Sequence, residues 1–404
     1  MSSRRKALKT LSALPLVGGL LAPSMISAKM VEKAVLQPAA RDFFKELGLR
    51  TFINAAGTYT AMTGSLMHKE VTDAIGYGAT EYVNLDELQD KVGERIAELL
   101  QCEYATVTSG AFSAMTLGLA GVMCGTDEKK VAQLPNTKGL KDEVIVQKGH
   151  AIGYTHALIN TGAKIVEVTT AKELEKAIND QTAMLWFLNA NTENGEIKWE
   201  EFIALGKKHN IPTFIDCAAD VPPVENLFKF TKMGFDMVCF SGGKGLRGPQ
   251  SAGILLGKRK YIEAARMHTP PRGATIGRGM KVNKEEVLGM MVALELYLAR
   301  DHKKEWELWE QQIKLISDSA SAVNGVETEI HVPMHANHVP SLKIRWDQSM
   351  VKISTDEMRK QLREGHPSIE TVGNKDEVGI TTWMMEPGQE RIVAKRIKEI
   401  LSNA

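Results

Sequence analysis

Along most of the chain, short runs that are apolar throughout give way to stretches whose apolar residues recur with helical spacing. Residues 86–100, DELQDKVGERIAELL, place Leu88, Val92, Ile96 and Leu99 on one helical face, with Asp86 and Gln89 in capping-box spacing at its start. ATVTSG at 105–110 predicts a short strand, AFSAMTLGLAGVM a helix, VIVQ at 144–147 a strand, and GYTHALINTG a helix ended by Gly162. KIVEV, AKELEKAI, TAMLWFLN, KWEEFIALGKKHN, TFIDCA, DMVCF and SAGILL continue the alternation. Strands that are apolar at every position need cover on both faces, and the intervening helices provide it. The pattern therefore predicts an α/β fold around a mainly parallel central sheet. From Lys284 to about Val323 it changes to one or two long helices rich in Leu, Met and Trp. Shorter strands (TEIHV, SLKIRW, GITTWM), a helix from Thr355 to Glu364 and a last helix from Gln389 to Leu401 predict a smaller C-terminal α+β domain.

Composition narrows the class. The 404 residues, 43% hydrophobic and 25% charged, suffice for a large buried core. Four of the 50 basic residues, Arg4, Arg5, Lys6 and Lys9, lie in residues 1–28, which hold no acid; the remainder carries 46 against 49 acidic, or −3. That balance offers no basic surface for nucleic acid. The first 28 residues run from this basic start through an apolar stretch, Leu11 to Leu21, to small residues near Ala28. The stretch is too short to span a bilayer, so the segment reads as an export signal and not as a stable membrane anchor. SRRKAL resembles the twin-arginine motif, with Ser3, Arg4, Arg5 and Lys9 matching and Ala7 where Phe is usual, and this predicts a periplasmic or exported protein. The alternative is an uncleaved basic and apolar tail. Cys102, Cys124, Cys217 and Cys239 show no CxxC spacing and read as buried small hydrophobes.

The chemistry sits at strand ends, where open α/β sheets collect their ligands. Asp216 in TFIDCAAD and Lys244 in FSGGKG both follow apolar strands, and a third strand end carries TSGAFSA. There Ser109 and Gly110 lead into a helix whose free N–H groups and dipole suit a phosphate. A phosphate cradle, an acid and a lysine are what pyridoxal 5'-phosphate requires: the lysine condenses with its aldehyde, the aspartate keeps the pyridine nitrogen protonated, and the helix start holds the phosphate. Gly242, Gly243 and Gly245 let the backbone pass close under the cofactor.

These motifs carry a family resemblance. TFINAAGTYTAMTGSLM, YVNLDELQDKVGERIAELLQCEYATVTSGA, FIDCAAD, FSGGKGLRGPQSAGILLGKR, IGRGMKVNKEE and WMMEPGQERIVAKRI, from about Thr51 to Leu401, resemble the fold-type I pyridoxal-phosphate enzymes. Within these they resemble the branch of selenocysteine synthase and D-glucosaminate-6-phosphate ammonia-lyase. The resemblance implies an aminotransferase-like fold with an N-terminal arm (29–65), a large cofactor domain (66–290) and a long helix with a small domain (291–404), after the export signal (1–28). It makes Lys244 the cofactor lysine, Asp216 the pyridine partner, and Gly110, Ala111 and Phe112 the phosphate-cradling turn, with a further phosphate hydrogen bond from Ser241. Relatives often carry a hydroxyl at the Phe112 position, which here can contribute only its backbone N–H. His150 in QKGHAIGYTHA either stacks on the cofactor ring or faces water at a helix start. Asn191 in NANTENG either bonds the ring hydroxyl or is part of a polar turn. Arg278 and Lys281 align with a basic pair that faces the substrate in the selenium-transferase relatives, with Lys281 replacing an Arg; otherwise they form an exposed basic turn. Arg247 and Arg272 are basic residues of the same kind left outside the site.

The resemblance also implies at least a homodimer, with each site at a subunit interface. A released, neutral Lys244 would take the Cα proton of a bound amine. With a leaving group at Cβ the outcome is elimination; without one it is racemisation or transamination. Only Lys29 to Arg50 separates the signal from the first family motif, which leaves little room for an RNA-binding region. Export argues against a phosphorylated cytoplasmic substrate. The reading is a lyase acting on an unphosphorylated, carboxylate-bearing amine, an amino acid or amino sugar acid. The alternatives are a racemase or aminotransferase of the same fold and a non-catalytic binding protein.

Overall fold

The computed structural model describes residues 41–404, so the predicted export signal lies outside the described residues. The chain divides between Thr51 and Phe52. On the first side the described residues hold one short helix, Phe43–Glu46, whose first turn is capped by Asp42 accepting from the Lys45 N–H. Everything that follows concerns residues 52–404.

The strands, in chain order, are β1 Phe52–Asn54, β2 Tyr104–Thr108, β3 Glu143–Gln147, β4 Lys164–Val168, β5 Thr182–Leu188, β6 Thr213–Asp216, β7 Met237–Ser241 and β8 Gly253–Gly257, then β9 Val326–His331, β10 Ser341–Trp346, β11 Ser368–Glu370, β12 Val372–Gly373 and β13 Val378–Thr381. Seven form one sheet in the order β2-β8-β7-β6-β5-β3-β4. β2, β5, β6 and β8 are buried at every position, as their mainly apolar runs predict. From β7 to β4 the pairs are parallel. β8 runs antiparallel to both β7 and β2. The reason is the connection: residues 242–252 contain no helix and cannot make a parallel crossover, so the chain turns back. The ends of β6 and β7 are therefore neighbours, while β2 reaches the same edge with the first residue of β8 between.

The helix Gly110–Cys124 is buried along nearly its whole length, which explains why it shows no polar face. The helix Leu85–Leu100 begins two residues earlier than its capping pattern suggests. Asn84 caps it by accepting from the Asp86 and Glu87 N–H groups. Gln89 instead lies buried against β2, donating to the Val107 carbonyl and accepting from Thr106 Oγ1. The segment 153–162 forms only a tight turn, Gly153–Thr155, and a single helical turn, His156–Ile159.

The long helical region is two helices, Lys284–Ala299 and His302–Ser321. A second sheet, β12-β13-β10-β9, is antiparallel. β1 pairs in parallel with β11, and Ile53 and Ala55 join the core formed by Ile313, Leu342, Ile369 and Ile397. Residues 52–55 of the arm are thus built into the C-terminal region. All four cysteines are free, and Cys124, Cys217 and Cys239 are buried.

Candidate active site

Lys244 stands three residues beyond β7, in a turn closed on itself by three backbone hydrogen bonds: Gly242 N–H to the Ala252 carbonyl at 2.8 Å, Gly248 N–H to the Gly242 carbonyl at 2.8 Å, and Arg247 N–H to the Lys244 carbonyl at 2.9 Å. A Cβ at Gly245 would lie 2.1 Å from the Val221 carbonyl oxygen. The close approach demanded there is to the protein's own backbone, which fixes the turn on the segment after β6. Burial pulls the Lys244 ammonium below its ordinary range, against the pull of Asp216 and Asp220. A neutral amine is thereby made accessible.

Asp216 ends β6 and is buried. Its Oδ1 accepts from the Ala218 N–H at 2.9 Å and lies 3.6 Å from the Cys239 thiol on β7. Burial pushes its pKa up, opposed by the Ala218 N–H, by Lys244 and by that thiol. Desolvated beside a cation, this carboxylate is suited to hold a protonated ring nitrogen.

The helix Gly110–Cys124 starts at the same sheet edge with no side chain capping it and no acid in its first turn. Ser109, in the capping position, instead donates its hydroxyl to Ser113 Oγ at 2.9 Å. The first N–H groups of this helix are left for another acceptor, and Gly110, at φ +86°, makes the bend that presents them. Gly110, Ala111, Phe112, Asp216, Ser241 and Lys244 all line one cavity of about 210 Å³. The structure brings these six together.

The remaining candidates lie elsewhere. Ser109 does not line the cavity with its side chain engaged as described. His150 is fully buried beneath β5, where its Nδ1 accepts from the Leu188 N–H at 3.2 Å and its ring meets Phe187 edge-on at 4.4 Å. Burial lowers its pKa to about 4, so it is neutral. Asn191 donates to the Gly149 carbonyl at 2.8 Å. Arg278 and Lys281 are exposed and line neither this cavity nor the larger one beside it.

Two residues of this site were not singled out in the sequence. Tyr154, four residues after His150, lines the cavity. Asp220, four residues after Asp216, also lines it, only 2% exposed. It accepts from the Ala336 N–H at 2.9 Å, and its neighbour Ala219 accepts from the Asn337 N–H at 2.7 Å. Ala336 and Asn337 both have left-handed backbones. Asp220 therefore ties a bent loop of the C-terminal region to the cavity floor. The signal available in FIDCAAD was a second carboxylate one helical turn beyond the first.

The cavity shares Thr60, Tyr154, Ala219 and Lys244 with a larger one of about 600 Å³, walled on the far side by the C-terminal sheet. A half-buried lysine, a buried aspartate, an uncapped helix start at the same sheet edge, and room between them fit the aldehyde, ring nitrogen and phosphate of pyridoxal phosphate. On this fold they define a fold-type I pyridoxal-phosphate enzyme.

The family described as SelA, L-seryl-tRNA selenium transferase, matches residues 52–362, and the chain belongs to it. D-glucosaminate-6-phosphate ammonia lyase of Salmonella typhimurium is 27% identical over 379 residues, 90% of this chain and 99% of its own. A 5'-C-glycyluridine monooxygenase-decarboxylase of Streptomyces is 26% identical over 89% of this chain and 92% of its own. The L-seryl-tRNA(Sec) selenium transferase of Desulfotalea psychrophila is 28% identical over 68% of this chain, but the match takes in only 63% of that protein. Among solved structures, the D-glucosaminate-6-phosphate ammonia-lyase superposes with a TM-score of 0.79 at 26% identity, covering 90% of this chain and 99% of that one. A structure described as SPT with PLP shares the fold at a TM-score of 0.55 and 12% identity, over 86% of this chain and 87% of that one. The cofactor is pyridoxal phosphate, and the enzyme is of the lyase or transferase class.

Proposed function

We propose that the protein is a lyase that eliminates a β-substituent, with release of ammonia, from an unphosphorylated amino acid or amino sugar acid. The observation that carries this reading is the shared wall at Lys244. The cavity that holds Asp216 and the helix start opens past Lys244 into a space bordered by Thr58, Asn337, Asn374 and Thr381, whose hydroxyl and amide groups suit a polyhydroxylated substrate. That space contains one further ammonium, Lys343, already 3.3 Å from Glu329, while Glu377 on the same wall pairs with Arg345. Such a lining is poorly matched to a phosphate dianion.

Bound pyridoxal phosphate supplies the electron sink that acidifies the substrate Cα–H and lets a Cβ substituent depart. Asp216 holds the ring nitrogen in its protonated form. The first turn of Gly110–Cys124 and Ser241 hold the phosphate. Lys244, lowered by burial, removes the Cα proton from its position between the two cavities. Arg278 and Lys281 serve the cavity of a second copy in the proposed homodimer. Residues 1–28 direct the folded, loaded enzyme to the periplasm, because a charged cofactor made in the cytoplasm has to be taken up before export; replacing Arg4 and Arg5 with Lys should hold cofactor-bearing protein in the cytoplasm, and continued export of loaded enzyme would refute this.

The test is incubation of the holoenzyme with D- and L-amino acids and amino sugar acids, scoring ammonia, keto acid and configuration. Ammonia with keto acid is expected from a β-hydroxylated member of the panel, and its loss in Lys244→Ala. Inversion without ammonia, or transfer of the amino group to a keto acid, would replace elimination by racemisation or transamination.

A further inference from the structure

The Lys244 turn borders another cavity, of about 170 Å³, touched by Gly245 and Arg247 and sharing no residue with the cofactor cavity. Two guanidinium groups enter it, Arg247 and Arg300. Arg247 holds a left-handed backbone, φ 53°, which side-chain-bearing residues rarely adopt. It donates from Nη2 to the Trp383 carbonyl at 2.9 Å, and among the described residues no other side-chain bond of Arg247 is found. A guanidinium has five N–H donors, so most of its capacity is free. Arg300 bonds His68 Nε2 and sits 3.7 Å from Glu305, too far for a hydrogen bond.

Burial pulls both arginines below their ordinary pKa, outweighing the attraction of Glu386 and Glu305 for Arg247 and of Glu305 for Arg300, and it lowers His68 as well, so that His68 accepts from Arg300 as a neutral ring. Glu305 and Glu386 also border the cavity, but Glu305 is partly exposed and Glu386 exposed, which screens their charge more than that of the less exposed arginines. The rest of the wall joins the apolar Leu308, Trp309, Met384 and Met385 to two polar side chains, Tyr297 and Gln312, whose hydroxyl and Oε1 have no hydrogen-bond partner among the described residues.

We propose that this cavity binds a small monoanionic carboxylate, with its oxygens on the free N–H groups of Arg247 and Arg300 and its short body against Trp309 and Met384. The planar fork of each guanidinium matches a carboxylate. The two acids at the rim disfavour a dianion. The site is separate from the reaction proposed above and does not depend on it.

Isothermal titration of the full-length holoenzyme with acetate, propionate, lactate and inorganic phosphate tests it. At least one carboxylate should bind, more tightly than phosphate. Its affinity should fall at least about tenfold in Arg247→Ala and in Arg300→Gln, as expected for loss of a charge-assisted hydrogen bond. It should be unchanged in Lys343→Ala, which reports binding in the substrate cavity. Arg300→Gln keeps a neutral donor and the side-chain volume, so the test stands if Arg247→Ala fails to fold. The proposal is overturned by absence of carboxylate binding, by binding indifferent to Arg300→Gln, by loss in Lys343→Ala, or by phosphate binding more tightly than every carboxylate.

Discussion

Asp220 is a carboxylate enclosed for a purpose other than stability, and Asp220→Asn exposes the cost. The side chain is 2% exposed, receives the Ala336 N–H at 2.9 Å, is bonded by Asn189, and feels Asp216 and Lys244. Burial, the largest effect, pushes its pKa up to about 6 from the ordinary 3.8, despite the bonds from Asn189 and Ala336. Above about pH 6 both folded and unfolded chains carry the charge, and the folded chain bears the desolvation penalty. As pH falls from about 6 towards about 4, the folded chain takes up a proton that the unfolded chain does not, so this contribution to stability rises. The gap corresponds to about 3 kcal/mol. Asparagine is uncharged and keeps an oxygen for the Ala336 N–H. At neutral pH Asp220→Asn should therefore be more stable by up to about 3 kcal/mol, and the advantage should vanish near pH 4. Urea unfolding midpoints of the two holoenzymes at pH 4.5, 5.5 and 7 measure the difference, and Asp216, common to both, cancels to first order. An equal or lower midpoint for Asp220→Asn at pH 7, or a difference independent of pH, would refute the reasoning.

Gly245→Ala drives a methyl group to 2.1 Å from the Val221 carbonyl oxygen, a backbone atom that cannot yield; a loss of about 3 kcal/mol or more is expected, with weaker cofactor retention, read by thermal unfolding and cofactor absorbance. Cys239→Ala removes the thiol 3.6 Å from Asp216 Oδ1 and should weaken cofactor binding a few-fold, about 0.5–1 kcal/mol, while Cys239→Ser restores it; equal affinities in all three proteins would assign the thiol no part in holding Asp216. Sedimentation of the holoenzyme at micromolar concentration should find a dimer or larger, and a fully active monomer would remove Arg278 and Lys281 from the site.

What could be read in the sequence was what depends on local chain geometry. β5 is buried at all seven positions, and its unbroken run TAMLWFL records that directly. Asp216 ends a strand, and Lys244 and the Gly110–Phe112 turn follow one by at most four residues, so assigning the strands assigned the edge on which they lie. The antiparallel course of β8 was also available, in a connection too short for a crossover, but the alternating rhythm masked it.

The same rule that located the lysine misplaced His150, and the reason is the strand order. His150 also follows a strand, β3, yet β5 separates β3 from β6, so the histidine is drawn under Leu188 and Phe187 instead of over the cavity. Being at a strand end selects an edge of the sheet; only the order of strands selects neighbours, and no local pattern encodes that order. Asp220 shows the same limit from the other direction. Its role comes from Ala336, 116 residues away, whose left-handed backbone has no meaning until the loop is docked. Arg247 reads as one more basic residue in a glycine turn because its burial is created by Arg300, Trp309 and Met384, all from the C-terminal part of the chain. The residues that hold the cofactor are thus set by the strands that carry them, whereas those that surround them are set by what folds back onto those strands, which is why the cofactor could be read before the substrate.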